Sequence, residues 1–92
     1  MKVVANNSTA WFLLEDGGAY FLSARCSQSA VDFDVLVRLN PDEYREYHAL
    51  GTLYLEYLAA RINYWSKEYW PRNEVPQRSA ADDAISVWSR GG

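Results

Sequence analysis

The chain is predicted to fold as a single α+β domain: an antiparallel meander of three to four strands, one long helix packed on one face, and a short C-terminal helix beside it. Three observations carry that expectation. A glycine-rich break separates two apolar runs near the start, a stretch from Val31 to Leu39 alternates apolar and polar residues, and at Asn40 the period lengthens from two to about 3.6 residues.

Lys2 to Ala5 reads as a first strand at an edge, with Asn6, Asn7 and Ser8 as its turn. Thr9 to Glu15 and Ala19 to Cys26 flank Asp16-Gly17-Gly18. Glycine accepts the positive φ of a tight turn, so these two runs form a hairpin. Val31, Phe33, Val35, Val37 and Leu39 then share one strand face, while Asp32, Asp34 and Arg38 take the other, which is expected to be wet. Short links between consecutive strands imply antiparallel pairing.

Asn40 is a good helix N-cap, Pro41 suits the first helical position, and Asp42 with Glu43 complement the positive end of the helix dipole. The helix is expected to run to Trp65, with Tyr44, Tyr47, Gly51, Tyr54, Leu55, Leu58, Ile62 and Trp65 facing the sheet and Gly51 allowing a close packing contact. A second apolar seam, Leu50, Leu53, Tyr57, Ala60 and Tyr64, runs beside this stripe and calls for a cover of its own. The last segment supplies the candidate. After a linker interrupted by Pro71 and Pro76, Ser79 caps a short helix with Asp82 three positions on, and Ala81, Ala84, Ile85 and Trp88 share a face. Gly91 after Arg90 is expected to stop that helix in a left-handed conformation. The closing Arg-Gly-Gly resembles the end of ubiquitin-like modifiers, but such a fold needs strands after its first helix, and an N-cap signature stands there instead.

Hydrophobic residues make up 49% of the 92, aromatics 15%, and a net charge of −3 comes from 12 acidic against 9 basic side chains. That composition folds, and it offers no basic stripe to neutralise phosphate, so direct nucleic-acid binding is not expected. No apolar run reaches the roughly 20 residues that cross a bilayer. One cysteine and no leader-like start point to a reducing cytoplasm.

Catalytic equipment is sparse, and no enzymatic activity, cofactor or metal is expected. Cys26 and His48 are the sole thiol and imidazole, a pair that would matter as nucleophile and base in a small enzyme or ligand-binding domain. Cys26 shares a strand face with Tyr20, Leu22 and Ala24, however, where it reads as a small buried hydrophobe. Asp32 and Asp34 could form an acid–base pair or hold a divalent cation, though two carboxylates on a solvated strand face are ordinary. Trp, Tyr and Arg dominate binding hot spots. Tyr69, Trp70 and Arg72 at the linker, with Asp32 and Asp34 on the open sheet face, are therefore the expected partner-binding residues. The form suits a stoichiometric inhibitor, of immunity or phage type, acting on a host or toxin protein, including one that handles nucleic acid. The alternative is a homodimeric structural or scaffold subunit joined through the long-helix seam.

Overall fold

The computed structural model describes residues 1–7, 10–28 and 31–91. Four strands, β1 (Lys2–Asn7), β2 (Trp11–Asp16), β3 (Ala19–Gln28) and β4 (Val31–Arg38), form one antiparallel sheet in the order β1-β2-β3-β4. Ser8 and Thr9, the expected end of the first turn and start of the second strand, lie outside the described residues. β2 and β3 meet in a two-residue turn that pairs Asp16 with Ala19. Gly17 and Gly18 there have φ of 59° and 89°, the left-handed values that a tight hairpin demands and side chains resist.

Asn40 opens α1 (Pro41–Leu50) as expected. Its side-chain oxygen accepts from the Glu43 amide at 2.8 Å, and the Glu43 carboxylate accepts from the Asn40 amide at 2.9 Å, a complete capping box. The long helix does not continue to Trp65. Gly51 breaks it with φ 64° and ψ −141°, its amide donating to Tyr47 O at 2.7 Å, and α2 (Thr52–Tyr64) starts anew. A Cβ at Gly51 would meet nothing within 4 Å, so this glycine supplies a backbone bend, not the close packing its place in the stripe suggests.

The C-terminal region also departs from expectation. After the short helix α3 (Ser66–Tyr69), two 3-10 turns at Trp70–Arg72 and Val75–Gln77, each with a proline as its second residue, carry the chain around the edge of β4. Asn73 Oδ1 accepts from Leu36 N at 2.9 Å and Glu74 N donates to Leu36 O at 2.7 Å, so the linker straps that edge. α4 (Arg78–Gly91) then lies on the opposite face of the sheet from α1 and α2, giving three layers, helix, sheet and helix. It begins one residue before Ser79, directly from the 3-10 turn, and Arg78 reaches Asp82 at 3.0 Å and Ser23 Oγ at 3.2 Å. Gly91 is the last helical residue and has no positive φ, so it is not the left-handed stop that was expected. Gly92 lies outside the described residues.

The two faces of the sheet hold different cores. Beneath α1 and α2, Trp11, Leu13, Leu22, Ala24, Cys26, Val35 and Val37 pack against Leu55, Leu58, Ala59 and Ile62. Beneath α4, Leu14, Phe21 and Leu36 meet Ala81, with Ala84 and Ile85 half-buried around them and Trp88 edge-on to Phe12 at 5.4 Å between ring centres. The strand face of Asp32 and Asp34 is therefore covered along its middle instead of wet throughout. No helix among the described residues is long and apolar enough to cross a membrane.

Candidate partner-binding surface

α2 is apolar on two opposite sides. At about 100° per residue, Leu55, Leu58, Ala59 and Ile62 point into the sheet and Leu53, Tyr57, Ala60 and Tyr64 point almost directly away. Because α4 has gone to the far face of the sheet, nothing in the described chain covers the outward side. Leu53 is 75% exposed, Tyr64 73%, Tyr57 56%, and Leu50 at the end of α1 51%. An isolated exposed leucine needs no explanation, but a contiguous row of leucine and tyrosine on one rigid helix does.

The margins of the row are polar and of opposite sign. On one side Glu56 accepts a hydrogen bond from Asn7 Nδ2 at 2.6 Å, anchoring that margin to β1. On the other, Arg61 donates to the hydroxyls of Tyr69 at 3.2 Å and Tyr57 at 3.5 Å, and its guanidinium carbon sits 5.8 Å from the Tyr57 ring centre. Those hydroxyl bonds, that to Tyr69 first, push the Arg61 pKa up and hold its charge beside the row. At the far end Tyr64 and Trp65 meet edge to face at 4.7 Å, with Trp65 46% exposed and so not the core residue its place in the stripe implies.

The residues expected from sequence to form the binding surface are not brought into one patch. Arg72 is a structural clamp: its guanidinium grips the carboxylate of Glu43, itself only 8% exposed, at 2.9 and 2.5 Å, and donates to Arg38 O at 3.0 Å. Tyr69 is half-buried against the main core, with the Arg72 guanidinium 5.7 Å from its ring centre. Trp70 is exposed, yet it stacks edge-on against a half-buried Phe33 at 5.9 Å, on the face of β4 opposite to Asp32 and Asp34. Asp34 lies 3.7 Å from Arg25, and Asp32 accepts from Ser27 Oγ at 2.8 Å, both within the sheet's own cross-strand register.

Cys26 and His48 do not meet. Cys26 is fully buried, its thiol directed at the carbonyl oxygen of Ile62 at 3.6 Å, and burial, helped by Asp34, pushes its pKa up to about 11. His48 packs edge-on against Tyr44 at 4.4 Å, in the cluster where Tyr44 and Tyr47 sit on Tyr20. Tyr20 and Cys26 are six residues apart on β3, about 20 Å of strand. A nucleophile and base at opposite ends of a strand cannot act on one atom. Among the described residues no group of three or more His, Cys, Asp and Glu gathers as a metal site. An open hollow of about 710 Å³ at the start of α1 is lined by Tyr20, Arg38, Tyr44, Arg45 and Arg72. Two of its three arginines are already engaged by carboxylates, Arg72 by Glu43 and Arg45 by Asp42.

Sequence reasoning identified the seam of Leu50, Leu53, Tyr57, Ala60 and Tyr64 but gave it an internal cover. The signal that could have corrected it is in the strands: Trp11 to Leu14, Tyr20 to Leu22 and Val35 to Val37 are apolar at consecutive positions, which marks a sheet buried on both faces. The C-terminal helix is needed there and is not free to cover α2. No family model, curated protein or solved structure matches this chain.

Proposed function

We propose that the chain is a non-enzymatic protein-binding module that engages its partner through the outward seam of α2. The observation that carries this reading is the row Leu53, Tyr57 and Tyr64, each more than half exposed on a helix whose other side is locked into the core, with an exposed Leu50 just before it at the end of α1. Tyrosine and leucine on a preorganised helix bury large area on contact at small entropic cost, which is the economy that binding hot spots use. Action as a stoichiometric inhibitor of a host or toxin protein, of immunity or phage type, is the form of such binding that the small size and the net charge of −3 favour. Acidic groups can occupy ground on a nucleic-acid-handling protein where phosphate would otherwise sit.

The seam is tested by affinity capture from the native host with two baits, the wild-type chain and a Leu53→Asp, Tyr57→Asp variant of matched circular dichroism and melting temperature. A protein retained by the first and lost by the second is the expected result. Identical captured sets would remove the seam from the binding function.

A further inference from the structure

We infer that the seam of α2 is the contact of a parallel, two-fold homodimer, in which a second copy of this chain covers the row and Glu56 of each copy faces Arg61 of the other. The inference rests on the reading of the seam as a protein-binding surface and makes a second copy of this chain its occupant, one that a host or toxin protein would have to displace from the same row. Leu53, Tyr57, Ala60 and Tyr64 are spaced by four, three and four residues, the alternation that lets one helix lay its apolar row into the same row of another. In the heptad lettering this makes Tyr57 and Tyr64 a positions, Leu53 and Ala60 d positions, Glu56 a g position and Arg61 an e position. The small Ala60 between two tyrosines lets the helices approach closely at that layer.

Charge decides the orientation. In a parallel pair the g residue of one helix faces the e residue five positions further along the other, and Glu56 and Arg61 are five apart and opposite in sign. An antiparallel pair would set the Arg61 margin against its own copy and the Glu56 margin likewise, bringing like charges together. Both side chains are already held at the edge of the row, Glu56 by Asn7 and Arg61 by Tyr57 and Tyr69, so little order remains to be imposed on them. The area makes the pair a weak one. Leu53, Tyr57 and Tyr64 offer roughly 400 Å² per copy, so a pair would bury about 800 Å² through the row itself, below the usual size of stable complexes, and a dissociation constant of roughly tens of micromolar is expected.

Sedimentation equilibrium of the full chain from about 1 to 200 μM tests the pairing directly, with melting temperature followed over the same range, since a dimer of folded subunits melts higher when concentrated. A monomer–dimer equilibrium is expected, with Leu53→Asp raising the dissociation constant by about 30-fold and each of Glu56→Arg and Arg61→Glu by about fivefold. Combining the two charge reversals should return it to within about twofold of wild type, a rescue that no independent pair of surface changes would give. Ala60→Cys, treated with oxidised glutathione, provides the second measurement: in a parallel pair the two thiols meet across the axis and thiol–disulfide exchange joins them in an intermolecular disulfide with release of reduced glutathione, whereas antiparallel helices keep them apart. A wild-type chain that stays monomeric throughout, or charge reversals whose effects simply add, would overturn the second copy as occupant. The Leu53→Asp, Tyr57→Asp capture experiment would still decide by itself whether the seam binds another protein, so the two failures are distinguishable.

Discussion

The two faces of the sheet are built on different scales. The α1–α2 face is closed by three fully buried helical side chains, Leu55, Leu58 and Ile62, in one cluster with fully buried strand residues, and it is reached by a chain segment that follows β4 directly. The α4 face is closed by Ala81 alone at full burial, with Ala84 and Ile85 only half-covered, and its helix arrives after a linker that must first round the edge of the sheet. Burial of apolar area is the main source of stability, so the first face sets the global stability and the second is a layer able to open by itself. The proposed binding surface follows the same division. The outward side of α2 is rigid because its inward side is deeply anchored, which is what a binding surface requires.

Leu58→Ala should break the deep face. A cavity there costs about 2–5 kcal/mol, and loss of that size should appear in urea unfolding of the whole chain; a near-wild-type midpoint would show that the face is not where stability resides. Arg72→Met comes next. It strips the cation from a Glu43 carboxylate that is nearly buried, and the expected loss is about 2–3 kcal/mol, below that of a fully enclosed pair because the arginine is partly in water. Glu43→Gln in the same background should recover part of the loss, since the uncompensated charge is then gone. Ile85→Ala on the α4 face should cost only about 1 kcal/mol globally. It should instead speed hydrogen exchange of α4 amides while leaving those of β2 and β3 unchanged, and equal acceleration in both would merge the two faces into one cooperative unit.

The last effect is in alkali and is confined to the α1–α2 face. Cys26 and Tyr54 both belong to the α1–α2 side; burial pushes the thiol from 9.0 up to about 11 and the phenol from 10.0 up to about 12. A group whose folded pKa is raised stabilises the fold fully below its unfolded pKa and loses that contribution as pH climbs through the folded value. Unfolding midpoints should therefore hold to about pH 9 and fall between pH 9 and 12, with Cys26→Ala flattening the first part of the fall. A decline that begins below pH 8 would require some other titrating group.

The hairpin, the alternating β4 and the Asn40 cap were legible because each is local: two glycines in a turn, a period of two, an N-cap with glutamate three residues on. Gly51 was visible but misread, since a glycine that permits close packing and one that bends the backbone look alike until φ is known. The destination of α4 was harder. Its apolar stripe of Ala81, Ala84 and Ile85 fits either layer, and the deciding fact is a hydrogen-bonded strap between Leu36 and Asn73, 37 positions apart. Arg72 has the local sequence setting of a binding anchor, and its clamp on Glu43, 29 positions away, leaves no local pattern. At the seam, the residues are legible from their helical spacing, and whether the chain covers them depends on where α4 goes.

The strap along β4 has a consequence for how this protein keeps its own company. A sheet edge with free amides and carbonyls invites another strand to add to it, the first step toward aggregation. One end of the β4 edge is closed by Asn73 and Glu74, and the other carries the charges of Asp32 and Asp34. The opposite edge, β1, has Lys2 at its start and an irregular register between Val3 and Ala5, which twists it away from a regular ladder. With both edges blunted, association through the backbone is discouraged, and contact with other chains is left to side chains on the helix.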